Sequence, residues 1–260
     1  MTQEPDKHDP TRMTLGEHLE ELRRRLIYAL LGLVVGVGAS MALGNRLIGL
    51  MLWSYDRVMR QSGLDPQLAV SNVTGGITMY MTLATIAGLL IASPWVIYQL
   101  WMFVAAGLYE REKRLVSYSV PFSAVLFLGG AGFFLFVASV PLLGFMVNFN
   151  RWLGLRHVVM LNDYVGFIAW SMFVFGLAFQ LPLVVMVLSW VGLVSMRHLN
   201  SYRRHVIVGV LIFAAIVTGP SPVDQIVLAV PMWLLYELGV LLSWLVIFRG
   251  RSRQEQGARS

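Results

Sequence analysis

The sequence predicts an all-α membrane protein with six kinked transmembrane helices, a short final helical pair, and both termini in the cytoplasm. Its 260 residues are 57% hydrophobic and only 13% charged, against about 25% charge in a typical soluble domain. The charges are clustered, and the uncharged stretches between them approach or exceed the roughly 20 residues that cross a bilayer. The absence of cysteine excludes disulfides, thiol catalysis and Cys-ligated metal sites.

The domain organisation follows from where polar residues lie. We expect a flexible cytoplasmic N-terminus over residues 1–13, a six-helix domain over 14–248 and a basic cytoplasmic tail over 249–260. About 25 polar or charged residues precede the first apolar stretch, so the sequence does not resemble a cleaved signal peptide. Breaks between spans fall at charge clusters and at Pro or Gly. The expected spans are residues 25–44, 76–103, 116–140, 164–190, 206–218 and 226–248.

Orientation follows from the distribution of Lys and Arg. Fifteen of the 20 lie in the two termini and in the connections between spans two and three and between spans four and five. By the positive-inside rule these segments are cytoplasmic. Setting topology is a sufficient role for any one of these arginines. It also accounts for the net charge of +6, so we expect no nucleic-acid partner.

An amphipathic helix is predicted at the cytoplasmic interface, leading into the first span. Thr14 and Glu17 fit a capping box. Leucines recur along one stripe at positions 15, 19, 22 and 26. Pairing within the helix is one role for these charged residues, because Glu20 with Arg24 and Glu21 with Arg25 are spaced for i,i+4 ion pairs.

Carboxylates are concentrated on the cytoplasmic face, where acidic residues contribute little to topology. They are Glu17, Glu20, Glu21, Glu110 and Glu112. Such carboxylates suit a guanidinium ligand, because bidentate hydrogen bonding favours arginine over lysine. The aromatic residues Trp101, Phe103 and Tyr109 could pack on the apolar part of this ligand. Anchoring the protein at the membrane interface is their alternative role.

One acidic residue and one notable amide lie inside the expected spans. Glu237 is 12 residues before Arg249, which places it about 18 Å from the cytoplasmic boundary. A charge at the centre of a span costs roughly 2.5 to 3.5 kcal/mol, so we expect Glu237 to be protonated, partnered or facing water. Gln180 lies near the middle of the fourth span. Hydrogen bonding to neighbouring helices is the alternative role for both.

The fifth expected span is short. Its 13 apolar residues would extend about 20 Å, well below a hydrocarbon core of about 30 Å. Gly219, Pro220 and Pro222 then predict a turn. Such a span either thins the bilayer or packs inside the protein, unless the helix extends past these limits.

Signatures of catalysis are missing from the sequence. The five histidines form no HExxH pattern, and there is no Walker lysine loop and no GxSxG. We therefore expect no enzyme activity, no metal and no cofactor. The alternative function is a proton-coupled small-molecule transporter that uses Glu237, although such proteins often show inverted repeats and the two halves of this chain do not pair.

Several motifs in register carry a family resemblance. They are His18-Leu-Glu-Glu-Leu-Arg23 with Arg25, the segment SPWVIYQLWMFV at 93–104, LYEREKRLV at 108–116, FQLP at 179–182, and LAVPMWLLYELG at 228–239. Together they resemble TatC, the polytopic receptor subunit of the twin-arginine protein translocase. The resemblance covers about residues 13–248 and includes the order of the spans and the short final pair.

The resemblance implies a receptor in the bacterial inner membrane for signal peptides with consecutive arginines on folded cargo. It implies signal-peptide-binding residues at Glu112 and Glu21, with Arg23 and Phe103 in supporting positions. Glu110 stands where the family commonly has a basic residue.

The resemblance also implies partners within the membrane. They are TatA-like and TatB-like single-span subunits, the lipid bilayer and further copies of the chain, with transport driven by the proton-motive force. Gln180, where the family often has glutamate, is the implied contact with a partner or signal hairpin. We expect Glu237 to belong to the same membrane-embedded surface.

Overall fold

The structure is a computed structural model that describes residues 15–70, 72–107, 110–155, 158–190, 196–218 and 222–257. This part of the chain is nearly all helical, as predicted, and includes one short parallel pair of β1 (Leu68–Ala69) and β2 (Val159–Met160). The helices are α1 (Leu15–Ala42), α2 (Gly44–Gln61), α3 (Gly75–Ala106), α4 (Glu110–Phe133), α5 (Ser139–Trp152), α6 (Leu161–Ala178), α7 (Leu181–Trp190), α8 (Met196–Thr218) and α9 (Pro222–Gly257).

Five helical segments of the described chain are long and apolar enough to cross a membrane. They are Gly16–Ala42, Gly75–Ala106, Ser119–Trp152, Leu161–Trp190 and Gln225–Trp244. Each overlaps one of the six expected spans. The remaining expected span, 206–218, forms the second half of α8. It is absent from this set because 13 apolar residues are too few, and the first half of α8 carries Arg197, Arg203 and Arg204.

The last two helices are longer than expected. α8 begins ten residues before the expected span, so the helix extends past the predicted limit while its apolar part remains 206–218. α9 runs from Pro222 to Gly257, beyond the expected 226–248. Its last turns are rich in Arg, Gln and Glu, which are good helix formers.

α1 and α3 form an antiparallel pair that is held by close backbone contact. A Cβ atom added to Gly36 would lie 2.5 Å from the carbonyl oxygen of Gly88. A Cβ atom added to Gly88 would lie 2.5 Å from Cα of Val37. Trp95 donates its indole N–H to the carbonyl of Tyr28 at 2.9 Å. Small residues therefore allow the first span to pack directly on the second.

Two of the expected spans contain irregular backbone beside a proline. The third span consists of α4, a π turn (Phe134–Ala138) and α5. Pro141, which follows the π turn, has no N–H to donate to the carbonyl of Val137. The fourth span is broken into α6 and α7 at residues 179–180. Pro182 has no N–H to donate to the carbonyl of Ala178. At the break, the Gln180 N–H donates to the carbonyl of Leu177, three residues earlier, at 3.0 Å.

The connection after the first span contains a helix that was not predicted. α2 buries Met51, Tyr55, Val58 and Met59 on one face. The Tyr164 hydroxyl of α6 donates to the carbonyl of Met51 at 2.8 Å and lies 2.8 Å from the hydroxyl of Ser54. This helix therefore packs on the helical bundle instead of forming a loose loop.

Candidate functional site

A carboxylate on α1 lies at the centre of a polar cluster between α1 and α3. Glu21 accepts hydrogen bonds from two arginines of the following turn. Arg25 donates from Nε to Oε1 at 2.6 Å, and Arg24 donates from Nη2 to Oε2. The predicted Glu21–Arg25 pair is thus confirmed, whereas Arg24 pairs with Glu21 and not, as expected, with Glu20.

Arg25 connects this cluster to α3. Its Nη1 donates to Oε1 of Gln99 at 3.1 Å, and the Gln99 residue is only 2% exposed. Because Arg25 has a partner at each end of its guanidinium, its position is fixed by both helices. Gln99 was missed in the sequence. Like Gln180 it is an amide inside an expected span, but it lies near the end of that span, so the central position that singled out Gln180 did not single it out.

Phe103 lies one helical turn after Gln99 on α3 and faces the start of α1. Its ring stacks on that of His18, with centroids 4.5 Å apart and an interplanar angle of 25°. His18 precedes Glu21 by one turn on α1. The contacts of His18 with Phe103 and of Arg25 with Gln99 therefore enclose the carboxylate from both sides along the helix pair.

The structure says less about Arg23 and Glu112, the two remaining residues that were predicted to bind signal peptides. Arg23 is exposed on α1. Glu112 lies in the first turn of α4, and its side chain is outside the described part of the structure. Whether Glu112 faces Glu21 therefore stays a prediction.

An apolar cavity of about 370 Å³ begins beside this cluster. Leu26, which follows Arg25, and Leu100, which follows Gln99, both line it. The rest of the lining comes from α1, α3, α4, α6 and α7, mainly from leucine, valine and aromatic side chains. Arginine side chains on α1 thus lie next to a surface suited to an apolar segment.

Gln180 lines the same cavity at the break between α6 and α7, and its partner is Ser123 of α4. Gln180 donates from Nε2 to the Ser123 carbonyl oxygen at 2.9 Å. The Ser123 hydroxyl donates to Oε1 of Gln180. The hydrogen-bonding role that the sequence allowed for Gln180 is therefore confirmed, and Ser123 is a second residue that the sequence did not indicate.

Glu237 lies apart from this cavity lining, in an ion pair between the last two helices. Its Oε2 is 3.0 Å from Nη2 of Arg203, with side-chain exposures of 26% and 48%. The adjacent Tyr236 donates its hydroxyl to the carbonyl of Leu199 at 2.8 Å. Of the three states expected for Glu237, the structure shows the partnered one.

The described residues include no group of three or more His, Asp or Glu side chains that could hold a metal ion. The two charged clusters each contain a single carboxylate, Glu21 or Glu237, bonded to arginine side chains. Such an arrangement can bind a cationic ligand, and it contains no activated nucleophile.

Comparisons with known proteins match most of the chain. The family model described as "Sec-independent protein translocase protein (TatC)" matches residues 17–231. "Sec-independent protein translocase protein TatCy" of Bacillus subtilis is 32% identical over 231 residues, covering 89% of this chain and 89% of the relative. TatC of Escherichia coli K12 is 29% identical over 238 residues, covering 92% and 91%.

A solved structure has the same fold. The "Crystal Structure of Twin Arginine Translocase Receptor- TatC" superposes with a TM-score of 0.77 at 28% identity, covering 88% of this chain and 98% of that one. Most of this chain is matched in both sequence and fold. It therefore belongs to the TatC family of Sec-independent protein translocase proteins, which are multi-pass membrane proteins and not enzymes.

Proposed function

We propose that this TatC protein is the receptor of a twin-arginine translocase and binds the arginines of signal peptides at Glu21. As a member of its family it is a component of a translocase, which has partner subunits and protein substrates. The observation that carries the receptor proposal is the position of Glu21. Its carboxylate is 11% exposed, already binds guanidinium groups, and lies beside an apolar cavity.

Arginine selectivity follows from the chemistry of this carboxylate. A guanidinium presents planar, parallel N–H donors that match two carboxylate oxygens, whereas an ammonium acts as a point charge. Arg25 makes one hydrogen bond to Glu21 and one to Gln99, which supports a site where a carboxylate and an amide hold one guanidinium together. Glu112, in the first turn of α4, supplies the carboxylate for the second signal arginine.

The apolar part of the signal peptide binds in the cavity. A volume of about 370 Å³ is within the range of ligand pockets and holds a few side chains, not a whole helix. Signal arginines at Glu21 therefore leave the following apolar residues next to Leu26 and Leu100.

Partner subunits bind in the membrane. TatA-like and TatB-like single-span helices contact the surface around Gln180 and Glu237, and several copies of the chain assemble in the working translocase. Both termini lie in the cytoplasm and the protein resides in the inner membrane, where the proton-motive force drives export. The Gln180 amide is hydrogen-bonded to Ser123. A polar side chain of a partner helix must therefore either add a hydrogen bond to this pair or displace Ser123 from Gln180.

The transporter alternative is not favoured. It requires Glu237 to be a proton or cation site, but Arg203 compensates its charge at 3.0 Å.

The experiment is a binding titration in nanodiscs with a fluorescent signal peptide that carries Arg-Arg. Glu21→Gln should weaken binding at least tenfold, because it removes the charge-assisted hydrogen bonds. Glu20→Gln is the matched control, since Glu20 is an exposed carboxylate one residue away on the same helix. Equal affinity of Glu21→Gln and the unmodified protein would refute the role of Glu21.

A second arm tests location and selectivity. A photo-crosslinking amino acid at position 103 should label the Arg-Arg peptide and not a Lys-Lys peptide. Glu112→Ala should abolish the labelling while the protein keeps its melting temperature. Equal labelling of the two peptides would contradict a twin-arginine receptor.

A further inference from the structure

Both oxygens of the Glu21 carboxylate are bonded to arginines of the same chain. Oε1 accepts from Nε of Arg25 at 2.6 Å, and Oε2 accepts from Nη2 of Arg24. A signal arginine therefore meets a carboxylate whose two acceptor atoms are already engaged. Each oxygen still has a lone pair, but a third guanidinium at this carboxylate would be repelled by the two already there. Binding at Glu21 therefore favours the departure of one of them.

The two arginines differ in how firmly they are held. The Arg25 side chain is 17% exposed and has a second hydrogen bond, to the buried Gln99. The Arg24 side chain is 59% exposed, and Glu21 is its hydrogen-bond partner on the helix surface. An exposed pair at i,i+3 spacing contributes little free energy, so Arg24 is the one that can leave.

We propose that Arg24 is an internal competitor that occupies the signal-arginine position at Glu21 in the empty receptor, so that binding is an exchange of one guanidinium for another. The inference rests on the proposed role of Glu21. It adds a residue, Arg24, that a signal arginine displaces when it binds. Arg25 stays in place as the fixed side of the site and positions the carboxylate.

Exchange has two physical consequences. First, Oε2 of the largely buried carboxylate has a hydrogen-bond donor in both states, Arg24 in the empty receptor and the signal arginine in the occupied one, so it is never left unsatisfied. Second, a tethered guanidinium competes at a high effective concentration, so a ligand must supply a better-placed arginine to displace it. Isolated arginines on other proteins are thereby disfavoured.

The test uses the same titration in nanodiscs with the Arg-Arg peptide and the full-length protein. Arg24→Gln should lower the dissociation constant about two- to fivefold, the range expected for the loss of one exposed competing ion pair. Arg24→Lys should lower the dissociation constant by less than Arg24→Gln does. An ammonium still competes for the carboxylate, although less well than a guanidinium. Gln and Lys both favour helix, so α1 should stay folded, and unchanged melting temperatures would verify this.

Removing a positive charge also changes the local electrostatic field, and Glu20→Gln controls for it. That substitution shifts the charge of the same helix surface by one unit in the opposite direction without touching Glu21. Under the exchange proposal Glu20→Gln leaves the affinity unchanged. A weakening by the same factor as the gain from Arg24→Gln would assign both effects to the field and overturn the proposal.

The failure of this inference is distinguishable from failure of the receptor proposal. If Glu21→Gln weakens binding but Arg24→Gln leaves it unchanged or weakens it, then Glu21 is the site and Arg24 is not a competitor. If Glu21→Gln leaves binding intact, then the site itself is elsewhere and the exchange is refuted with it.

Discussion

The rings of His18 and Phe103 stack 4.5 Å apart and join the first turn of α1 to the last turns of α3. One turn further along the pair, Arg25 bonds Gln99 at 3.1 Å. Glu21 lies between these two contacts on α1. The geometry of the candidate site therefore depends on residues that do not themselves carry the binding charge.

The stack should control the position of Phe103. His18→Ala removes an aromatic pair of about 0.5 to 1.5 kcal/mol, and we expect about two- to tenfold weaker binding of an Arg-Arg peptide in nanodiscs. His18→Phe keeps a ring in place and should restore most of the affinity. Equal loss in both variants would show that the histidine acts by its ring nitrogens and not by stacking.

The hydrogen-bonded pair of Gln180 and Ser123 should stabilise the break in the fourth span. Ser123→Ala leaves Oε1 of Gln180 without its donor, and an unsatisfied buried acceptor costs about 1 to 3 kcal/mol. We expect a lower melting temperature in detergent. Adding Gln180→Leu to Ser123→Ala should recover part of the loss, since both polar side-chain groups are then removed. A double variant less stable than Ser123→Ala would contradict this account.

Close packing of α1 on α3 should make Gly88 intolerant of a side chain. Gly88→Ala places a methyl group 2.5 Å from the backbone of Val37, and overpacking of this kind costs about 1 to 3 kcal/mol. Gly38→Ala is the matched control, because nothing lies within 4 Å of its added Cβ. Melting temperatures of the two variants should differ clearly, with Gly88→Ala the lower. Equal values would mean that the helices separate without cost.

The ion pair of Arg203 and Glu237 should be structural. Arg203→Gln and Glu237→Gln are each expected to lower stability by about 1 kcal/mol or less, because Arg203 is nearly half exposed. Exchange of the two charges should recover part of the loss. Export of a folded twin-arginine precursor should continue in Glu237→Gln, and its abolition in a stable variant would reopen a proton-transfer role.

Hydrophobic patterning predicted much of the fold, because charge clusters mark where a chain leaves the bilayer. The errors have local causes. α2 was missed since Arg46, Asp56, Arg57 and Arg60 interrupt its sequence with charges, although its buried face is apolar. The break at Gln180 was missed because a continuous apolar run hides a change of helix. The limits of α8 were wrong because a helix can continue into polar sequence.

The candidate site was predicted unevenly. Glu21 and Phe103 belonged to the cytoplasmic carboxylates and aromatic residues seen in the sequence, and the family resemblance singled them out. The Glu21–Arg25 pair came from helical spacing alone. Gln99 and Ser123 could not be assigned as partners, since those contacts join residues 74 and 57 positions apart. Only the packing of helices against one another decides which polar side chains meet.

The apolar cavity beside the Glu21 cluster is lined by side chains of the membrane-spanning helices, so in the proposed receptor lipid acyl chains compete with a signal peptide for it. Acyl chains are about as apolar as leucine, and replacing them with a signal peptide releases little free energy from water. Under the proposed function, longer hydrophobic stretches in a signal would therefore add little binding free energy at this site. Discrimination between export substrates would then depend on the few charged groups at the membrane surface, where water still competes.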